Sequence, residues 1–224
     1  MMKNNNYIYA ITKSKGPTSH DIINQLRHIT GIKKIGHAGT LDPLASGVLV
    51  VGITREGTKQ LGKFEKTEKE YIAQIKLGET STTDDEEGMK QITHGVKDIE
   101  KEKIEKIIKK FTGKIKQVPP IYSAVKINGK PAHRRVRKGQ KISLKPRTVE
   151  IKNISLINYK WPYLEIKVVC GPGTYIRSLA RDIGKEIKYG GYLANLRRTR
   201  VGEYKIKDAF KLDEFEKYWQ SLKK

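Results

Sequence analysis

One cysteine, Cys170, is all the chain carries. That excludes a disulfide framework and a cysteine-rich zinc site. No two histidines stand at ligand spacing, so a metal reading is weak. No apolar run approaches the roughly 18 residues of a membrane-spanning helix. Residues 1–9 are polar and lack the apolar centre of a signal peptide. These absences point to the cell interior. Acid is the other shortage. Asp and Glu number 24 against 46 Lys and Arg, a formal net charge of +22. That exceeds what solubility needs and points to a polyanionic partner, an RNA or DNA backbone first. A proteome biased towards lysine is the competing explanation.

What is present is enough for one sizeable core: 224 residues, 37% of them hydrophobic. Residues 7–11 read as a strand. Thr18 or Ser19 can cap a helix whose apolar face is Ile22, Ile23, Leu26 and Ile29, with Gly31 ending it. Residues 48–52 read as a strand. Tyr71, Ala73, Ile75 and Leu77 alternate as a half-buried strand does. Ile104, Ile107, Ile108 and Phe111 recur at helical spacing within residues 99–112. Pro119-Pro120 forbids regular structure at its position. Strands at 149–156 and 164–170, a helix over 174–186 and a terminal helix over 209–222 complete the pattern. Strands and helices alternate irregularly with many hairpins, which predicts an α+β fold. Residues 80–88, rich in Asp and Glu, read as an acidic surface loop without the ligand pattern of a calcium site.

The most informative stretch is Gly36-His37-Ala38-Gly39-Thr40-Leu41-Asp42-Pro43-Leu44-Ala45-Ser46-Gly47-Val48-Leu49. Gly39 permits a tight turn and Pro43 fixes the backbone after Asp42. Asp42 is a constrained carboxylate that either stabilises its turn or does chemistry. Local sequence does not choose. His37 either meets a nucleic-acid base or satisfies a loop carbonyl. Residues 130–147 hold eight basic residues and no acid, with His133 inside and Tyr122 just before. A run of this kind repels itself without a counter-charge, so phosphate contact is favoured. Arg177 falls at a helix start, where the dipole offers a cation nothing. A buried carboxylate or a phosphate would explain it. Tyr71 is a core aromatic or a stacking surface for a base.

Several segments, in order, closely resemble one family, the bacterial-type tRNA pseudouridine-55 synthases. They are Lys15-Gly16-Pro17-Thr18-Ser19, the stretch 36–49, Lys69-Glu70-Tyr71, Gln117-Val118-Pro119-Pro120-Ile121-Tyr122-Ser123-Ala124-Val125-Lys126, Gly173-Thr174-Tyr175-Ile176-Arg177-Ser178-Leu179 and Leu196-Arg197-Arg198-Thr199-Arg200. The resemblance implies a mixed, mostly antiparallel sheet flanked by helices and loops, with a central RNA-binding cleft. It implies isomerisation of the T-loop uridine at tRNA position 55, without cofactor or metal, in the cytoplasm. The partner would be the tRNA T-arm stem-loop, bound by a monomer with no obligate protein partner and no membrane. Asp42 would be the catalytic aspartate, Tyr71 would stack on the target base and move a proton, and Arg177 would pair with Asp42. His37, Lys15, Leu196, Tyr122, His133, Arg134 and Arg137 would contact substrate. Residues 117–147 would form the family's mobile thumb.

Three departures stand out. The usual Lys-Pro is Lys13-Ser14 here. His133 replaces a common thumb tyrosine. The chain, 1–224, is expected to be a single catalytic domain ending too soon for the C-terminal PUA domain that many members carry. A steeper salt dependence of tRNA affinity is the expected consequence.

Overall fold

The structure is a computed structural model that describes residues 7–222, apart from 94, 128 and 141. In chain order the elements are β1 (Ile8–Lys13), α1 (Ser19–Thr30), β2 (Ile35–Ala38), β3 (Ala45–Ile53), α2 (Thr54–Glu65), β4 (Lys69–Leu77), β5 (Glu79–Ser81), β6 (Lys90–Ile92), α3 (Lys101–Lys109), β7 (Gly113–Gln117), β8 (Lys126–Ile127), β9 (Lys130–Pro131), α4 (Ala132–Val136), β10 (Arg147–Lys160), β11 (Tyr163–Cys170), α5 (Ile176–Ile187), β12 (Gly191–Val201), β13 (Tyr204–Lys205) and α6 (Leu212–Ser221). They fall into two compact units: residues up to 71 with those from 196 onward, and residues 72–195. The α+β expectation holds, and the strand pairs are mostly antiparallel.

In the first unit, β3 is the spine. It pairs antiparallel with β1 and with β2, and parallel with β12 through Leu196↔Ala45, Arg197↔Ser46 and Arg198↔Gly47. Its residues from Gly47 to Ile53 are all buried, so it reads as a continuous apolar run, as a strand covered on both faces should. One face packs on Ile22, Ile23 and Leu26 of α1 and on Phe215 of α6; the other on Leu61 and Phe64 of α2. The start of α1 is fixed by Thr18, whose hydroxyl accepts from the Asp21 amide while the Asp21 carboxylate accepts from Thr18 in return. Gly31 closes the helix in a left-handed conformation.

In the second unit, β4 from Ile72 onward, β11, β10 and β7 lie in that order; α3 packs on β10 and on α5, with Ile104, Ile107 and Ile108 of α3 and Leu179, Ala180 and Ile183 of α5 buried. β4 buries every second residue, as its alternation predicts. After β7 ends at Gln117, the described residues of 118–139 carry only β8, β9 and the single turn α4, in keeping with the paired prolines.

The short strands β2, β5, β6, β7, β8, β9 and β13 and the turn α4 fall where no regular element is expected, and two further departures are larger. α2 is a helix where none is predicted: two glycines and a sparse apolar set, Leu61 and Phe64, conceal its period. The basic stretch 195–202 lies within strand β12, where Leu196, Arg198 and Val201 are buried.

Candidate active site

The first unit holds Lys15, His37, Asp42, Tyr71 and Leu196. Asp42 sits in the loop between β2 and β3. Leu41 and Leu44 on either side of it are buried, while Asp42 itself is half-buried, so the apolar neighbours anchor the turn. The turn closes on itself through the Ala45 amide, which donates to the Asp42 carbonyl at 3.0 Å.

Three groups pin the crest of this turn. The buried Ser19 hydroxyl donates to the Leu41 carbonyl and accepts from the Leu41 amide, both at 2.9 Å. The Gly16 amide donates to the Pro43 carbonyl at 2.9 Å. Beneath them lies Lys13, fully buried, whose Nζ donates to the carbonyls of Ala45 (2.6 Å), Ser14 (3.0 Å) and Pro43 (3.4 Å). Burial pushes the Lys13 ammonium below the ordinary lysine value; the nearby Asp42 carboxylate pulls it back up, and Arg198 pushes it further down. Thus the segment containing Lys15 is clasped to the Asp42 turn by backbone and buried side chains. Ser14, which stands where the family has proline, supplies one of the carbonyls that Lys13 needs.

The neck of the same loop rests on Arg198. Its Nε donates to the Val48 carbonyl at 2.8 Å and its Nη2 to the Gly39 carbonyl at 2.9 Å. His37 lies on β2 opposite Val51. Its Nδ1 is buried and meets no hydrogen-bond partner among the described residues, so this nitrogen does not satisfy a loop carbonyl. Burial, then the cations Arg198 and His20, hold its pKa below the ordinary value, which keeps the ring neutral at pH 7. Leu196 pairs with Ala45, three residues after Asp42. Tyr71 is buried on the inward face of β4 beside Lys69, whose Nζ donates to the carbonyls of Phe64, Glu65 and Thr67 at the end of α2.

The second unit holds Tyr122, Arg134, Arg137 and Arg177. Gln117 presents its side-chain amide to both backbone groups of Tyr175 (2.9 and 3.1 Å), which fixes the entry to α5. Arg177, in the first turn, is buried. Nη1 meets the Asp85 carboxylate at 3.3 Å and Nη2 donates to the Tyr122 carbonyl at 2.8 Å. Two of the predicted residues therefore touch. Asp85 is itself buried, and its other oxygen accepts from Thr83 Oγ1 and from the Glu87 amide. Asp84, held at φ +62°, pairs with Arg181 at 2.7 Å. Burial raises the Asp84 pKa, against the pull of Arg181.

The acidic surface loop expected at 80–88 is thus corrected in part: Asp84 and Asp85 face inward and tether the loop to two arginines of α5. The available signal was the unexplained cation at a helix start, which asked for a buried carboxylate. Arg134 and Arg137 on and just after α4 are exposed. Lys130, Arg134, Arg135, Lys138 and Gln140 line a cavity of about 360 Å³. The expectation placed on the His133 side chain lies outside the described residues. Among the described residues no cluster of His, Cys, Asp and Glu could hold a metal ion.

The chain belongs to the TruB family of pseudouridylate synthases: the N-terminal domain model of that family matches residues 27–176, and the tRNA pseudouridylate synthase B C-terminal domain matches residues 177–224. It is 44% identical over 217 residues to a tRNA pseudouridine synthase B of Corynebacterium diphtheriae, covering 93% of this chain and 72% of that one. It is 44% identical over 192 residues to one of Parabacteroides distasonis, covering 83% and 81%. Among solved structures it is similar to a chain of a Cbf5-Nop10-Gar1 complex, with TM-score 0.76 and 29% identity, over 97% of this chain and 55% of that one. This chain therefore spans about half the length of that structural neighbour.

Proposed function

We propose that the protein isomerises the T-loop uridine at position 55 of tRNA to pseudouridine, with Asp42 as the catalytic carboxylate. The observation that carries this reading is the Asp42 turn: a half-buried acid fixed from below by Lys13, from one side by Ser19 and at its neck by Arg198, in a chain of this family. A site built so costs little reorganisation when charge develops on a substrate.

The reaction breaks the N1–C1′ bond, turns the freed uracil and forms a C5–C1′ bond. The proton on C5 leaves and N1 ends protonated, so no atom is gained or lost overall. A carboxylate that adds at C1′ or C6, or that removes the C2′ proton, must be ionised. The attraction between Asp42 and the buried Lys13 ammonium favours that state. The target base has to leave its stack, at a cost of a few kcal/mol. Tyr71 as a stacking ring, neutral His37 against the RNA loop, Leu196 on the pocket wall and the cations of residues 117–147 on phosphate offset that cost. Arg177 takes the role of orienting cation. Lys15, Tyr122, His133, Arg134 and Arg137 contact the T-arm.

The test uses T-arm RNA carrying tritium at uridine C5. The parent protein releases tritium and Asp42→Asn does not. Full release by Asp42→Asn would remove Asp42 from the chemistry. Tight RNA binding by the parent without release would leave a binding protein instead of an enzyme.

A further inference from the structure

We infer that Arg198 is a positioning residue whose guanidinium ties the start of the Asp42 loop to strand β3 on its far side, and that the rate of the isomerisation depends on that tie. The inference rests on the assignment of Asp42 as the reacting group.

Arg198 is buried, 1% exposed, on β12. Its side-chain hydrogen bonds go to Gly39, the first residue after β2, and to Val48, three residues inside β3. Asp42 lies between them. The loop is shaped around this one side chain and its backbone. A Cβ on Gly47 would come within 2.1 Å of the Arg198 carbonyl oxygen, and one on Gly39 within 3.3 Å of Nη1. Both glycines also hold positive φ, +112° and +78°, which L side chains rarely adopt. Glycine just after β2 and again within β3 is therefore what lets these two segments approach Arg198 so closely.

The chemistry of the side chain suits a tie. A guanidinium is planar, and its N–H groups leave at fixed angles, so two carbonyls bound to it are held at a fixed spacing and direction. A lysine ammonium at the same place keeps the charge but is a point on a flexible stem. Burying a cation is moreover a poor way to gain stability, since well-packed apolar residues do as well or better. What the guanidinium adds over an apolar side chain is geometry. Its charge also reaches Lys13 and His37, lowering the pKa of each.

Arg198→Lys and Arg198→Met test this, with the parent protein alongside, well below the unfolding temperature of each. Single-turnover tritium release at saturating protein is expected to fall about 10²-fold in both, the size of effect that a small misplacement of a reacting group produces. Affinity for the T-arm RNA is expected to stay within about threefold of the parent, because ground-state contacts are untouched. Amide hydrogen exchange across residues 39–48 is expected to speed up in both variants without RNA present. A folded variant with parental release rate overturns the inference, as does weakened RNA binding with an intact saturating rate. So does unchanged exchange in the loop. If neither variant folds, exchange in the parent decides: protection at 39–48 comparable to that of β3 supports the tie, and rapid exchange overturns it. A parent that releases no tritium refutes the proposed function instead, while loop exchange still reads the tie by itself.

Discussion

Lys13 and Arg134 carry the same charge and put it to opposite uses. Lys13 is sealed inside the first unit, and its ammonium is spent on three backbone carbonyls. Arg134, in the second, is exposed at the edge of a cavity lined by Lys130, Arg135 and Lys138. Lys69, Arg177 and Arg198 belong with Lys13. Each is buried and each holds a turn or a loop by its carbonyls, with Asp85 added in the case of Arg177. Arg137, Lys138 and Lys130 belong with Arg134. A net charge of +22 points to RNA as a partner, but the cations that shape the candidate site are those turned away from solvent. Inward cations set geometry; outward ones supply affinity.

That division can be broken by removing one cation or counter-ion from each class and measuring stability and RNA binding together. The largest effect belongs to Asp85→Ala. It takes the carboxylate from Arg177 inside the protein, and breaking a buried pair of this kind costs about 3 kcal/mol or more. Urea unfolding is expected to show that loss, together with a lower tritium-release rate. A stability change below about 0.5 kcal/mol, the range of ordinary surface substitutions, would move Arg177 out of the inward class.

Lys13→Met comes next. It leaves the carbonyls of Ser14, Pro43 and Ala45 without their donor. Hydrogen bonds to a charged group contribute roughly 1.5–3 kcal/mol, and the loss should lie in that range. The thermal midpoint is expected to drop by several degrees, at roughly 2–4 °C per kcal/mol for a chain of this size. RNA affinity per folded molecule should hold. A loss of affinity with parental stability would show that Lys13 meets the RNA.

Arg134→Gln and Arg137→Gln sharpen the comparison from the other side. Stability should stay within about 0.5 kcal/mol of the parent. RNA binding should weaken, and the log–log salt slope should shrink by about 1 for each cation removed. Unchanged slopes would mean that these arginines do not meet phosphate.

The two classes were unequally legible in the sequence. The outward one was plain: eight basic residues and no acid in 130–147 can hardly be anything but solvated or phosphate-bound. So was the Asp42 turn, because Gly39, Asp42 and Pro43 declare a constrained backbone; so were α1, where period and caps agree, and β4 and α5, by their period alone. The inward class was hidden. Arg198 stands in Leu196-Arg197-Arg198-Thr199-Arg200, which looks like one more basic surface run. Only the alternation of buried Leu196 and Arg198 with exposed Asn195 and Arg197 along β12 shows which arginine points in, and that pattern is legible only once the segment is known to be a strand. Asp85 was hidden for the same reason. Five polar residues precede it in 80–84, and nothing local distinguishes the one whose partner lies 92 positions away. Charge composition is a sum over the surface and the interior; burial is decided by partners distant in sequence.

His37 offers the finest discrimination, since it sits beside the inward cations yet is expected to face RNA. Its folded pKa lies below the ordinary 6.5, chiefly through burial and then through Arg198 and His20. Between the folded value and 6.5 the unfolded chain binds a proton that the folded chain does not. Stability therefore rises with pH up to about 6.5 and is lost as pH falls below it. His37→Gln should flatten that acid-side loss, read as urea midpoints at pH 7.5 and pH 5.5. At pH 7.5 the ring is neutral and releases no counterion on binding, so His37→Gln should leave the salt slope of RNA affinity where it is, while Arg134→Gln lowers it. A slope that falls equally in both would mean that His37 is charged against phosphate, and that the interior cations do not govern its protonation.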